Sequence, residues 1–139
     1  MNTAVATLQI TASLDMLGQV RQFVEATAVL PHLTNPQTIS DLVLAVDEAV
    51  TNIIRHGYQQ QPGIIEINIR CQQHQIEIKL YDWSPNFDPT QIISPNPATP
   101  LSQRKPGGMG VYMMRHLTDE LQYQRLADGR NELTLIKQI

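Results

Sequence analysis

At 139 residues with a formal net charge of −3, the chain is the size of one domain with a proper hydrophobic core, and its 10 lysines and arginines are scattered, which excludes a broad basic surface for nucleic acid. Cys71 is the single cysteine, so no internal disulfide is possible, and its place in a strand-like run reads as buried packing rather than a nucleophile. No stretch approaches the ~18 apolar residues of a membrane span, and the first residues lack the pattern of a signal peptide, so the expectation is a cytoplasmic protein with no membrane partner.

The first expected element is a strand over Ala4–Ile10. Ser13 is placed to cap a helix running to about Val29, with Leu14, Leu17, Val20, Val24 and Ala28 on one side and Pro31 ending it. Asn35-Pro36 fits the N-cap and first turn of a second helix, which Gly57 is expected to close. Ile64–Arg70 and Gln75–Tyr81 alternate apolar and polar residues at period two around Gln73-His74, the pattern of an antiparallel hairpin with one apolar face. Asp88–Pro106 holds Pro89, Pro95, Pro97, Pro100 and Pro106 with few regular apolar positions and reads as a long loop. A helix over Val111–Leu117 follows. Leu121–Arg125 and Glu132–Lys137 then complete the sheet across an Asp128-Gly129 turn. With no internal repeat and no linker, residues 1–139 are expected to form one α+β domain, a two-layer sandwich with helices on one face of a mixed, mostly antiparallel sheet.

Three segments carry chemistry. Glu48, Asn52 and His56 recur at four-residue spacing in an apolar run of Leu42, Val46, Ala49, Val50, Ile53 and Ile54, and a helix brings such positions onto roughly one face. Polar groups on a mostly buried helix need partners, since each one left unpaired costs about 1–3 kcal/mol. A bound ligand with a metal ion supplies them; the alternative is a solvated face. Tyr81-Asp82-Trp83-Ser84-Pro85-Asn86-Phe87-Asp88-Pro89 leaves a strand for a loop. Pro106-Gly107-Gly108-Met109-Gly110 precedes the third helix, where free backbone N–H groups at the positive end of the dipole accept phosphate, although glycine-rich turns also serve as plain connectors. There is no GxxxxGK[ST], no GxSxG and no zinc-ligand spacing among the four histidines and one cysteine.

In this order and spacing the segments resemble the nucleotide-binding fold of gyrase-type ATPases, heat-shock chaperones, sensor histidine kinases and mismatch-repair ATPases. They are most similar to the small anti-sigma-factor serine/threonine-protein kinase family. The helix motif reads Glu48-Ala-Val-Thr-Asn52-Ile-Ile-Arg-His56-Gly57, the glycine motif runs from Gly107 to Arg115, and Asp119-Glu120-Leu121-Gln122-Tyr123 matches a strand typical of that family. The middle motif keeps Asp82, Phe87 and Asp88 but has Ser84 and Asn86 where the family has glycines. Glycine there admits φ > 0 and close approach of the base; Ser84 is small, and asparagine tolerates the left-handed region.

The resemblance implies ATP and Mg²⁺ as cofactors, with Asn52 offering its carbonyl oxygen to the metal and Glu48 acting as general base on the attacking hydroxyl. It implies that Asp82 accepts from the exocyclic amine of adenine, beside Ser84 and Phe87, and that Lys105, Gly107, Gly108 and Gly110 wrap the phosphates. His56 is either a satisfied structural histidine or packs against the lid. Arg104 and Lys105 either reach the γ-phosphate or a partner, or are solvated, and Arg115 either touches ligand or makes an ion pair. The implied activity is transfer of the ATP γ-phosphate to Ser/Thr of a small anti-sigma antagonist protein, with a sigma factor or similar regulator as second partner and a homodimer as the assembly. Ser84 and Asn86 motivate a second reading, a nucleotide-binding or nucleotide-independent interaction module without kinase activity. A sensor histidine kinase is disfavoured because the residues before Glu48 leave no room for a phospho-accepting hairpin. An ATPase of a larger machine is disfavoured for want of a transducer domain.

Overall fold

The computed structural model describes residues 4–29, 35–85, 88–91, 98 and 109–139. Five strands, β1 (Ala4–Thr11), β2 (Ile64–Cys71), β3 (Gln75–Asp82), β4 (Glu120–Arg125) and β5 (Asn131–Gln138), form one sheet in the order β1-β2-β3-β5-β4. Every neighbouring pair is antiparallel, so the mixed sheet of the sequence reading is corrected to a wholly antiparallel one. Parallel neighbours need a crossover that returns the chain to its starting end. Here two tight hairpins and the helical excursion from β1 to β2 reverse it, while the helical excursion from β3 returns the chain to run β4 parallel to β3, with β5 paired between the two.

The period-two pattern does what it implies. Ile65, Ile67, Ile69 and Cys71 of β2 and Ile76, Ile78 and Leu80 of β3 are fully buried, while the residues between them face the other side. Three helices close over the buried face: α1 (Leu17–Val29), α2 (Pro36–Asn52) and α3 (Met109–Leu117). They contribute Val20 and Val24, then Leu42, Ala45, Val46, Ala49 and Val50, then Val111 and Met114 to one core. Each fully buried Val, Leu, Ile or Met side chain stabilises by about 1.5–3 kcal/mol, so this single layer is the main support of the fold. Cys71 lies within it, its thiol 3.8 Å from the carbonyl of Thr27, and burial pushes its pKa up, which makes it packing rather than a nucleophile. Among the described residues no helix is long and apolar enough to cross a membrane.

The helix starts follow the capping signals, with one correction. Asn35 Oδ1 accepts from Gln37 N at 2.9 Å, and Pro36 takes the first turn of α2. Ser13 Oγ accepts from Asp15 N at 3.3 Å, but what it caps is a 3₁₀ turn over Leu14–Met16. That tighter winding turns Leu14 away from Val20 and Val24, and Leu14 is exposed.

The end of the second helix is also corrected. The chain does not stop at a left-handed Gly57; α2 passes into a π-helical turn over Ile53–Gly57, closed by Tyr58 N donating to Ile53 O at 2.8 Å. The reversal is made by Gln59 (φ 53°) and Gln60 (φ 63°), while Gly57 is buried against the core side. Left-handed backbone at a non-glycine residue costs roughly 1–2 kcal/mol and persists where surroundings hold it. Here Gln60 N donates to Ile54 O at 2.9 Å. The β4–β5 turn is as expected, with Gly129 at φ 92° and Leu126 N donating to Arg130 O at 2.8 Å.

Candidate functional site

Glu48 and Asn52 stand one turn apart on α2, flanked by the buried Ala45, Ala49, Val50 and Ile53. Glu48 is half-buried. Burial is the main cause raising its pKa, the neighbouring Asp47 charge adds to it, and Arg55 opposes it. Asp47 is held in turn by Arg21 of α1, Nε to Oδ1 2.8 Å. The Nδ2 of Asn52 is buried and has no hydrogen-bond partner among the described residues. His56 follows one turn after Asn52, within the π turn. It is exposed there, whereas Glu48 and Asn52 are partly buried.

Asp82, the last residue of β3, is 4% exposed and sits in a built polar pocket. Its Oδ1 accepts from Ser84 N at 3.0 Å, from Ser84 Oγ at 2.6 Å and from Asn131 Nδ2 at 2.8 Å. All bonds to Asp82 from the described residues end on Oδ1, so Oδ2 is the oxygen left for another donor. Ser84 is fully buried and has negative φ, so this backbone does not require the glycine of the related motif. Its hydroxyl instead adds a donor to Asp82.

Tyr58 ties the two regions together. Its hydroxyl donates to Ile64 O at 2.6 Å and accepts from Trp83 N at 2.9 Å, joining the end of the Asn52 helix to the residue after Asp82. A cleft of about 560 Å³ opens beside it, lined by His56, Tyr58, Pro62, Trp83 and Pro85. Neither Glu48, Asn52 nor Asp82 lines that cleft.

Asp88 Oδ1 accepts from Thr90 N at 2.8 Å and from Thr90 Oγ1 at 2.5 Å, capping the short turn Pro89–Gln91. Arg115 of α3 donates to Thr90 O at 2.7 Å, which makes it a brace between α3 and this turn. Gly110 lies in the first turn of α3. Asn86, Phe87, Arg104, Lys105, Gly107 and Gly108 lie outside the described residues. Asn131 and Tyr58 are the residues the sequence reading missed. The available signal for Asn131 was a lone amide at the first inward position of an otherwise apolar strand face shared with Leu133 and Leu135.

Residues 10–137 match the histidine kinase-like ATPase domain family. The chain belongs to that family. This ATPase domain is 39% identical over 95 residues to the serine/threonine-protein kinase BtrW of Bordetella bronchiseptica, covering 68% of the chain and 66% of the relative. It is 31% identical over 90 residues to the serine-protein kinase RsbW of Oceanobacillus iheyensis, covering 61% of the chain and 57% of the relative. It is 33% identical over 91 residues to RsbW of Bacillus subtilis, covering 62% and 57%. The chain thus spans between half and two thirds of the length of the curated relatives it matches.

The residues of this ATPase domain fit a nucleotide with a divalent ion. An orphaned buried amide at Asn52 costs about 1–3 kcal/mol unless a ligand completes it. A phosphate oxygen could accept from its nitrogen, and with the amide turned over, its carbonyl oxygen would be a ligand of the kind Mg²⁺ favours. Among the described residues no three His, Cys, Asp or Glu side chains gather to hold a metal. Mg²⁺ in nucleotide sites takes one or two protein ligands beside phosphates and water, so a single amide suits it.

Proposed function

We propose that residues 1–139 form one ATP-dependent protein-serine/threonine kinase domain of the anti-sigma type. The observation that carries the reading is the pair Glu48 and Asn52, one turn apart on α2 in a chain of the ATPase family that is similar to two named protein kinases. When bound, ATP with Mg²⁺ supplies the phosphoryl group and neutralises its charge. Asn52 would hold the metal through its side-chain oxygen. Glu48 orients the acceptor hydroxyl and takes its proton, a task suited to a carboxylate whose pKa is raised by burial and the neighbouring Asp47 charge. Asp82 Oδ2 accepts from the adenine amine, with Ser84 and Phe87 as further adenine-loop residues, and Lys105, Gly107, Gly108 and Gly110 are the residues assigned to the phosphates. The phosphate acceptor is Ser/Thr of a small antagonist protein, and a sigma factor or similar regulator is the second partner. The working assembly is a homodimer in the cytoplasm.

Titration calorimetry with ATP, with and without Mg²⁺, tests this on wild type and Asn52→Ala. Micromolar, Mg²⁺-dependent binding that Asn52→Ala weakens by at least about tenfold is the expected result, the scale of one lost charge-assisted contact. Wild type that ignores millimolar ATP sinks the kinase reading.

Ser84 decides between this and a module without catalysis. Ser84→Gly is expected to weaken ATP binding severalfold, because it removes one of the three donors on Asp82 Oδ1. A large gain in affinity on restoring the glycine instead identifies a loop that has drifted from nucleotide use.

A further inference from the structure

Asn131 is 1% exposed, opens β5 and faces Asp82 directly across the β3–β5 ladder. Its amide has two distinct sets of partners. Nδ2 donates to Asp82 Oδ1 at 2.8 Å and lies 3.0 Å from Ser84 O and 3.3 Å from Ser84 Oγ. Oδ1 accepts from the Tyr123 hydroxyl at 2.6 Å and from Arg125 Nη1 at 3.2 Å. Guanidinium only donates and an ionised carboxylate only accepts, so the amide has one orientation in which neither end meets a like group. Burial, followed by the charge of Asp88, raises the Tyr123 pKa, so its hydroxyl keeps its proton and remains a donor.

Without Asn131, Asp82 would be steered by Ser84 alone, two residues away on the same loop. With it, the carboxylate is held from a second strand that Tyr123 and Arg125 of β4 brace from behind. We propose that Asn131 is a positioning residue for base recognition, occupying Asp82 Oδ1 so that Oδ2 alone meets the nucleotide and demands a hydrogen-bond donor there. This rests on the reading of Asp82 as the adenine-binding carboxylate. It adds that selection of a 6-amino over a 6-oxo purine is set from β5.

The test compares ATP with ITP, whose base carries an oxygen in place of the amine, by calorimetric titration of the full chain. Wild type is expected to prefer ATP by at least about tenfold, the worth of one charge-assisted hydrogen bond. Asn131→Leu removes the donor at similar volume and should bring the ratio close to one by weakening ATP while leaving ITP nearly unchanged. Tyr123→Phe releases the far end of the amide and should move the ratio the same way by a smaller factor, which keeps the test decisive if Asn131→Leu does not fold. A purely structural role lowers both affinities together or lowers the folded fraction, and either result at an unchanged ratio overturns the inference. Wild type that binds ATP and ITP equally overturns the Asp82 reading as well. Wild type that prefers ATP, with both variants keeping that preference, overturns the role of Asn131 alone.

Discussion

Glu48→Gln is expected to lower phosphoryl transfer by about 10²–10⁴-fold while changing ATP affinity little, the loss typical of removing a general base. Glutamine keeps the size and the hydrogen-bonding reach of the side chain but takes no proton. The same substitution should raise thermal stability at neutral pH. Burial and Asp47 raise the Glu48 pKa in the fold, so the folded state favours the neutral acid. The stability linked to that preference is full below the unfolded pKa and is lost as pH rises through the folded one. Once pH has risen through the folded pKa, wild type carries an ionised, half-buried carboxylate, which the Glu48→Gln variant replaces with a neutral amide. Melting curves across pH should place Glu48→Gln above wild type at neutrality, with the gap closing on acidification. Transfer by wild type should also fail on the acid side at a pH above the ordinary carboxylate range. A Glu48→Gln protein that still phosphorylates at the wild-type rate removes Glu48 from the chemistry.

The parts of this molecule that repeat locally were legible in its sequence, and the parts closed by distant partners were not. Alternation over Ile64–Arg70 and Gln75–Tyr81 placed β2 and β3 almost to the residue, and Asn35-Pro36 placed the start of α2. The four-residue spacing of Glu48 and Asn52 is a property of one helix and survives in the fold. The π turn that carries His56 was not legible, because it leaves no mark in apolar periodicity. Gly57 misled for a related reason: glycine is the usual left-handed stop, but here it is buried and two glutamines make the reversal. Ser84 looked like a damaged glycine position until its hydroxyl was found on Asp82. The partners that hold the site come from far along the chain, Tyr58 bonding Trp83 at a separation of 25 residues and Asn131 bonding Asp82 at 49. Spacing rules for helices and strands do not reach that far.

Gly63→Ala is expected to destabilise the protein by about 1–3 kcal/mol, the cost of overpacking a well-packed interior. A Cβ at this position would lie 2.3 Å from Tyr58 Cε1 and 2.4 Å from Cζ, so the ring must move or the backbone must yield. An exposed aromatic ring would swing aside at little cost. This one is pinned at its hydroxyl between Ile64 O and Trp83 N, and displacing it leaves a backbone N–H unpaired next to Asp82. Stability and nucleotide affinity should therefore fall together in Gly63→Ala. The clash is specific to the ring, which gives a sharper test. Tyr58→Ala should itself cost several kcal/mol, at roughly the 3–5 kcal/mol of other large aromatic truncations. In that background, adding Gly63→Ala should cost almost nothing, because the methyl enters the space the ring has left. Denaturant unfolding of both single variants and the double variant measures the coupling. Strictly additive losses would mean that Gly63 is needed for its backbone alone and that Tyr58 is not the clamp on the Asp82 loop.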